Sequence, residues 1–228
     1  MTAGTIVLLR HGRTAYNHTK RLQGQVDIPL DDVGRWQAEQ GANALASSHT
    51  ATKVVASDLQ RAFDTATAYA KLVGVDVERD ERMRERSFGE WEGLNSEEIA
   101  ARWPAEHAEW RAGAEPVRAG AESRATVAER MTAGVLEHAA GLGAQDTLVV
   151  VSHGAAITLT LTLLLGQDPV TWRGISGLHN VHWSHLHAAD PQGRPGWRLV
   201  AHNVGAGYPL DHWVAGPDWN LEPDVSGE

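Results

Sequence analysis

Ile6-Val7-Leu8-Leu9 runs without a break into Arg10-His11-Gly12. Four consecutive apolar residues, the first two β-branched, predict a strand buried on both faces, as in a parallel sheet covered by helices. Such a strand releases the chain at the carboxyl edge of the sheet, where open α/β sheets hold their ligands. There the sequence sets a guanidinium, an imidazole and a residue without a side chain at one point. Glycine removes the Cβ that would keep a ligand off the backbone, arginine offers a planar fork to phosphate oxygens, and neutral imidazole can attack phosphorus. Taken alone, the tripeptide reads equally well as a strand end with an incidental basic pair.

A second copy of the arrangement changes that balance. Leu148-Val149-Val150-Val151 is again a continuous apolar run, and it ends in Ser152-His153-Gly154 before a helical stretch from Ala155 to Leu165. Two strand-terminal His-Gly pairs in parallel context can face one pocket. Gly154 also opens a helix, whose free amides and dipole favour an anion there.

Between them, Lys53-Val54-Val55-Ala56 reads as a strand followed by Ser57-Asp58-Leu59-Gln60-Arg61, with Ser57 or Asp58 expected to cap the next helix. Arg61 falls in the first turn of that helix, near the strand ends, where a cation opposes the dipole and an anionic partner accounts for it best. Arg84-Glu85-Arg86-Ser87-Phe88-Gly89-Glu90-Trp91-Glu92-Gly93 reads as a loop. Glu90 and Glu92 are expected in surface ion pairs. Glu85 is the candidate general acid, since a departing alkoxide needs a carboxyl poised beside the phosphate.

Together, Arg10-His11-Gly12, Asn17, Gln23-Gly24, Asp27, Pro29-Leu30, Ser57-Asp58-Leu59 with Arg61, Glu85 with Phe88-Gly89, and Ser152-His153-Gly154 resemble the histidine phosphatase superfamily, in its phosphoglycerate-mutase-like branch. The resemblance implies His11 as the nucleophile that becomes phosphohistidine. It implies Arg10, Arg61 and His153 as holders of the phosphoryl oxygens, Glu85 as proton donor, and Asn17, Gln23, Gly24 and Gly154 as pocket residues. No metal or other cofactor is then expected, because cationic and donor side chains occupy the place Mg²⁺ takes in other phosphoryl-transfer enzymes. Ser87-Phe88-Gly89 and Trp91 resemble the phosphatase members more than the mutases. A mutase-type phosphotransferase, a broad-specificity phosphatase and a catalytically silent phosphometabolite-binding module remain as alternatives.

Gln23-Gly24-Gln25, Glu122-Ser123-Arg124, Asn180 before Trp183, and Trp197-Arg198-Leu199 with Asn203 resemble phosphatases of phosphoglycerate-type esters. The carboxylate of such an ester calls for a cation outside the phosphate pocket, with Arg13, Arg21, Arg111 and Arg124 as candidates.

Composition agrees with a small-molecule enzyme. A formal net charge of −9 argues against nucleic acid or an anionic membrane as the main partner, and the absence of cysteine excludes disulfides and a thiolate nucleophile. With no signal-like segment and no membrane-length apolar run, cytoplasm is the expected compartment. A small phosphorylated metabolite is the expected partner, with a homodimer possible through exposed tryptophans.

The expected fold is α/β: a three-layer sandwich with a mostly parallel sheet, helices on both faces and a small inserted helical cap. Helices are expected at Asp31 to Ser47, Asp58 to Val73, Ser96 to Trp103, Ser123 to Ala140 and Ala155 to Leu165. Strands are expected at Thr5 to Leu9, Lys53 to Ala56, Val75 to Arg79, Thr147 to Val151, Val181 to Leu186 and Gly196 to Ala201. One domain spans 1–215, with the cap at about 95–123, a linker from Gly113 to Gly120 inside it, and a disordered tail at 216–228. His179, His182, His185 and His187 are expected not to form a metal site, and Trp103, Trp110, Trp213 and Trp219 to bury area or line a carbohydrate-sized pocket.

Overall fold

The computed structural model describes residues 2–117, 120–189 and 195–217 of the 228-residue chain. In chain order it contains β1 (Thr5–Arg10), α1 (Ala15–His18), α2 (Asp32–Ser48), β2 (Lys53–Ala56), α3 (Gln60–Val73) and β3 (Val77–Arg79). Two 3₁₀ turns follow, Glu81–Met83 and Gly89–Trp91, then α4 (Ser96–Arg102), α5 (Pro104–Arg111) and α6 (Arg124–Ala139). The chain closes with β4 (Thr147–Ser152), α7 (Gly154–Leu164), β5 (Trp183–Ala188), β6 (Trp197–Val204) and α8 (Leu210–Ala215).

The strands form one sheet of order β3-β2-β4-β1-β5-β6. β3, β2, β4 and β1 run parallel, while β5 and β6 add an antiparallel edge. Ile6, Val7, Leu8 and Leu9 are all buried to within 1 %, each contributing about 1.5–3 kcal/mol by leaving water. Alternation splits them between two cores. Ile6 and Leu8 join Leu148 and Val150 under α6 and α7, whereas Val7 and Leu9 join Val149 and Val151 under α2 and α3. The three-layer α/β sandwich is the architecture read from the sequence. No helix among the described residues is long and apolar enough to cross a membrane.

Register brings the two motifs together. β1 pairs with β4 so that Arg10 lies opposite Ser152, which places the Arg10-His11-Gly12 and Ser152-His153-Gly154 corners side by side at one sheet edge. β5 enters from the same edge, with Trp183 opposite Leu9. The loop after His11 is fixed against α2, because a Cβ on Gly34 would stand 1.9 Å from the Arg13 carbonyl oxygen and one on Gly12 would stand 2.5 Å from that of Gly34.

Several local expectations are corrected. α3 begins at Gln60 after Leu59, with no side-chain cap. Ser57 Oγ accepts from the Leu59 N–H, and Asp58 is held instead by Arg84 through bonds of 2.8 and 2.5 Å. With the Asp58 carboxylate engaged by Arg84, the Gln60 N–H that opens α3 donates instead to Asp27 Oδ1 at 2.8 Å. Asp31 caps α2 rather than starting it. β3 is shorter than the stretch from Val75, and β5 starts at Trp183 because Val181, at φ 53°, turns the chain out of extended geometry. α1, α5 and α8 were not anticipated; α5 starts at Pro104, directly after the expected helix ends, as proline suits a first helical position. Of the expected tail, 218–228, with Trp219, lies outside the described residues, as do 118–119 within the expected linker.

Candidate active site

His11 leaves the end of β1 almost fully buried, at 2 % exposure. Its Nδ1 lies 2.7 Å from its neighbour's carbonyl oxygen, that of Gly12. A carbonyl only accepts, so Nδ1 carries the proton and Nε2 presents a lone pair. Burial, then the charges of Arg61 and Arg10, hold the imidazole well below its ordinary pKa, which keeps that lone pair free.

His153, fully buried at the N-cap of α7, has the opposite tautomer. Arg61 Nε donates to its Nδ1 across 3.2 Å, so Nε2 bears the proton. That Nε2 is buried without a hydrogen-bond partner among the described residues, and so is Arg10 Nε. Two buried donors left unmet at one corner are costly in isolation and suit an incoming anion. The two imidazole rings stand 5.0 Å apart between centroids. His153 too is held well below its ordinary pKa, by burial first and then by Arg61.

Arg61 is fully buried, and burial pushes its pKa down to about 10. Beyond His153 it donates to the carbonyls of Val26 and Gly24, each at 2.8 Å. Three of the five guanidinium donors are thereby used, and two remain for a ligand. Gly24 makes its part possible by adopting φ +52°.

Glu85 docks on the start of α7. Its Oε1 accepts from the N–H groups of Arg86 and Ala156, both at 2.9 Å, and its Oε2 from that of Ala155 at 3.1 Å. The N–H groups expected to meet an anion at this helix N-terminus are, in this structure, taken by the protein's own Glu85 carboxyl group. Glu92 also departs from expectation. Its Oε1 accepts from Gln25 N, Phe88 N and Ser87 Oγ, so it organises the loop rather than pairing at the surface.

These side chains share one cleft of about 210 Å³, lined by Arg10, His11, Asn17, Arg21, Gln23, Gly24, Arg61, Glu85, Phe88 and Gly154 among others. Of the catalytic and pocket residues named from sequence, all line it except His153, whose ring is tilted against that of His11. Asn17 Oδ1 accepts from Thr14 and Asn180, and Gln23 Oε1 accepts from Thr14 Oγ1 at 2.9 Å. Of the four cations considered for a carboxylate, Arg21 lines this cleft, held by Glu98 at 2.7 Å. Arg13 lines an adjoining cleft and is paired with Asp31, while Arg124 donates to the Gly113 carbonyl.

The sequence pattern assigned no role in the site to two further contributors. Asn180 Nδ2 donates to the His11 carbonyl at 3.0 Å, and Thr65 Oγ1 accepts from Gly12 N at 3.0 Å. Asn180 is seated by its neighbour Val181, a buried β-branched residue at φ 53° whose N–H bonds the carbonyls of Arg10 and His11. A positive φ at valine leaves no trace in sequence. His179 meets His182 edge-on and His185 lies tilted against His187, and among the described residues no group of three or more His, Cys, Asp or Glu side chains is arranged to hold a metal. Trp103 and Trp110, both half-buried, pack on buried Trp91, and Trp213 is itself buried.

A doubly wound sheet with two histidines, two arginines and a carboxyl at its edge defines a phosphoryl-handling enzyme of the histidine phosphatase type. The model of the histidine phosphatase superfamily (branch 1) matches residues 6–204, and the chain belongs to that family. It is 36 % identical over 219 residues to the glucosyl-3-phosphoglycerate phosphatase of Mycolicibacterium vanbaalenii, covering 90 % of this chain and 97 % of the relative. The glucosyl-3-phosphoglycerate phosphatase of Mycobacterium tuberculosis (strain H37Rv) is 36 % identical over 217 residues, with the same coverage. The solved structure of mycobacterial glucosyl-3-phosphoglycerate phosphatase Rv2419c with VO3 superposes with a TM-score of 0.79 at 34 % identity, covering 88 % of this chain and 99 % of that one. The chain is a phosphoric monoester hydrolase of this superfamily.

Proposed function

We propose that the enzyme hydrolyses glucosyl-3-phosphoglycerate through a phosphohistidine on His11. The observation that carries the mechanism is the pair of opposed tautomers: His11 offers an Nε2 lone pair, while His153 offers an Nε2–H that has no partner among the described residues. Arg10, Arg61 and His153 take the phosphoryl oxygens and stabilise their charge in the transition state. Asn17, Gln23, Gly24 and Gly154 line the phosphoryl pocket. His11 Nε2 attacks phosphorus, the bond from phosphorus to the ester oxygen breaks, and Glu85 gives its proton to that oxygen. Water then attacks the phosphohistidine, Glu85 takes the proton back, and the P–N bond breaks to release inorganic phosphate and free His11.

The substrate assignment follows the two mycobacterial relatives named above and has a physical basis in the cleft. Arg21 stands at its rim with donors to spare beyond Glu98 and the Gly93 carbonyl, suiting a substrate carboxylate outside the phosphate pocket. The segment at about 95–123, with α4 and α5, supplies the selectivity for the sugar. kcat/KM for glucosyl-3-phosphoglycerate exceeds that for 3-phosphoglycerate and glucose 6-phosphate by at least ~10-fold, about 1.4 kcal/mol of transition-state discrimination. A smaller preference would leave a broad-specificity phosphatase as the better description.

Phosphoryl charge is met by side chains alone in this scheme. Turnover therefore survives excess chelator, and vanadate inhibits competitively by taking the five-coordinate geometry of the transferring phosphorus. Activity lost to chelator and restored by Mg²⁺ or Zn²⁺ overturns that part of the scheme.

A further inference from the structure

Glu85 is held at both ends, and the second hold lies outside the cleft. Arg130, on α6, donates from Nη1 to the carbonyls of Arg82 and Arg84 and from Nη2 to that of Glu85, at 2.8, 2.8 and 2.9 Å. One guanidinium thus gathers three carbonyls from the strand of chain leading into Glu85. Its remaining donors grip Glu122, Nε to Oε1 and Nη2 to Oε2, both at 2.8 Å. Glu122 Oε2 in turn accepts from Ser87 N at 2.9 Å and from Gln25 Nε2 at 3.2 Å, and the same Gln25 nitrogen reaches the Glu85 carbonyl at 3.1 Å.

Fixing a loop so tightly has a chemical use. A carboxyl that must deliver a proton to one oxygen loses much of its effect when displaced by about 1 Å, and irregular backbone does not hold such a position unaided. The planar fork of arginine meets a carboxylate with two parallel bonds and still reaches backbone carbonyls. Burial alone would push the Glu122 carboxyl up, yet the bonds from Arg130 and Ser87 hold it below its ordinary pKa, so the pair remains charged.

We propose that Arg130 and Glu122 are positioning residues that hold Glu85 where it can protonate the leaving group. The proposal rests on the reading of Glu85 as proton donor. Neither side chain lines the cleft, so their removal disturbs proton delivery more than it disturbs phosphate binding. A role confined to stability would instead lower all activities together.

The test compares Glu85→Gln, Glu122→Gln, Arg130→Met and the double variant Glu85→Gln/Glu122→Gln. Each is assayed on 4-nitrophenyl phosphate, whose leaving group needs no proton, and on the best alkyl phosphate of the substrate panel. Glu122→Gln is isosteric, so it keeps the test open if Arg130→Met fails to fold. The expected result is that kcat falls roughly 10-fold more on the alkyl ester than on the nitrophenyl ester in Glu122→Gln, with KM changed by less than about threefold. The double variant is expected to be no slower on the alkyl ester than Glu85→Gln alone, since both changes remove one function. Equal losses on the two esters in Glu122→Gln, or additive losses in the double variant, overturn the proposal while Glu85→Gln remains selective. If Glu85→Gln shows no selectivity between the esters, the proton-donor reading itself is lost and the positioning role goes with it.

Discussion

His11→Ala loses turnover by on the order of 10⁴-fold or more, as removal of a covalent nucleophile does when the rest of the site is intact. Rapid quench of the wild-type enzyme with labelled ester traps an acid-labile, base-stable adduct on the peptide bearing Arg10-His11-Gly12. The variant traps none. An acid-stable adduct, or substantial activity left in His11→Ala, contradicts the mechanism. The pH profile gives an independent check. Because the folded state lowers the pKa of His11, the neutral form persists as pH falls through 6.5. kcat/KM, corrected for ionisation of the ester, therefore shows no acid limb near pH 6.5. Stability carries the converse sign: the unfolded chain takes up a proton on His11 and His153 below about pH 6.5 and the folded one does not, so their burial costs stability as the medium is acidified.

Glu85→Gln slows hydrolysis of alkyl phosphates by ~10²–10⁴-fold, the usual contribution of a general acid, and slows 4-nitrophenyl phosphate far less. Glutamine keeps the shape of the side chain but offers one accepting oxygen where Glu85 has two; that local change is common to both esters, so the difference between them isolates the proton. Arg61→Ala impairs both esters alike, because its charge serves the phosphoryl group whatever the leaving group. Steady-state rates on the two ester classes decide the matter, and equal losses in Glu85→Gln remove Glu85 from the role of acid.

What the sequence made legible was whatever continuous patterning determines. Two apolar runs ending in His-Gly located both corners of the site, and helical spacing after Ala56 brought Arg61 to the same edge. The site residues named there were found together because strand ends in a parallel sheet share an edge by construction. Contacts between distant side chains were not legible. Asp58 has the composition of a helix cap and serves Arg84 instead; Glu92 looks like a surface charge and organises a loop. Asn180 reaches His11 through a backbone conformation that valine rarely adopts. Arg130 sits on an amphipathic helix whose pattern reports only the buried face, so nothing local marks it as the tie for a loop more than forty residues earlier.

The position of β1 inside the sheet bears on how the activity arises during folding. Its neighbours on both sides, β4 and β5, come from far later in the chain, so the apolar strand that leads into His11 has no ladder to join until the chain has reached β4 at Thr147–Ser152. Closing such distant pairs is entropically slow and leaves an exposed, aggregation-prone strand in the meantime. A nascent or truncated chain that ends before Thr147 therefore holds His11 but neither of β1's partner strands, and on the proposed mechanism phosphoryl transfer waits for those long-range pairings.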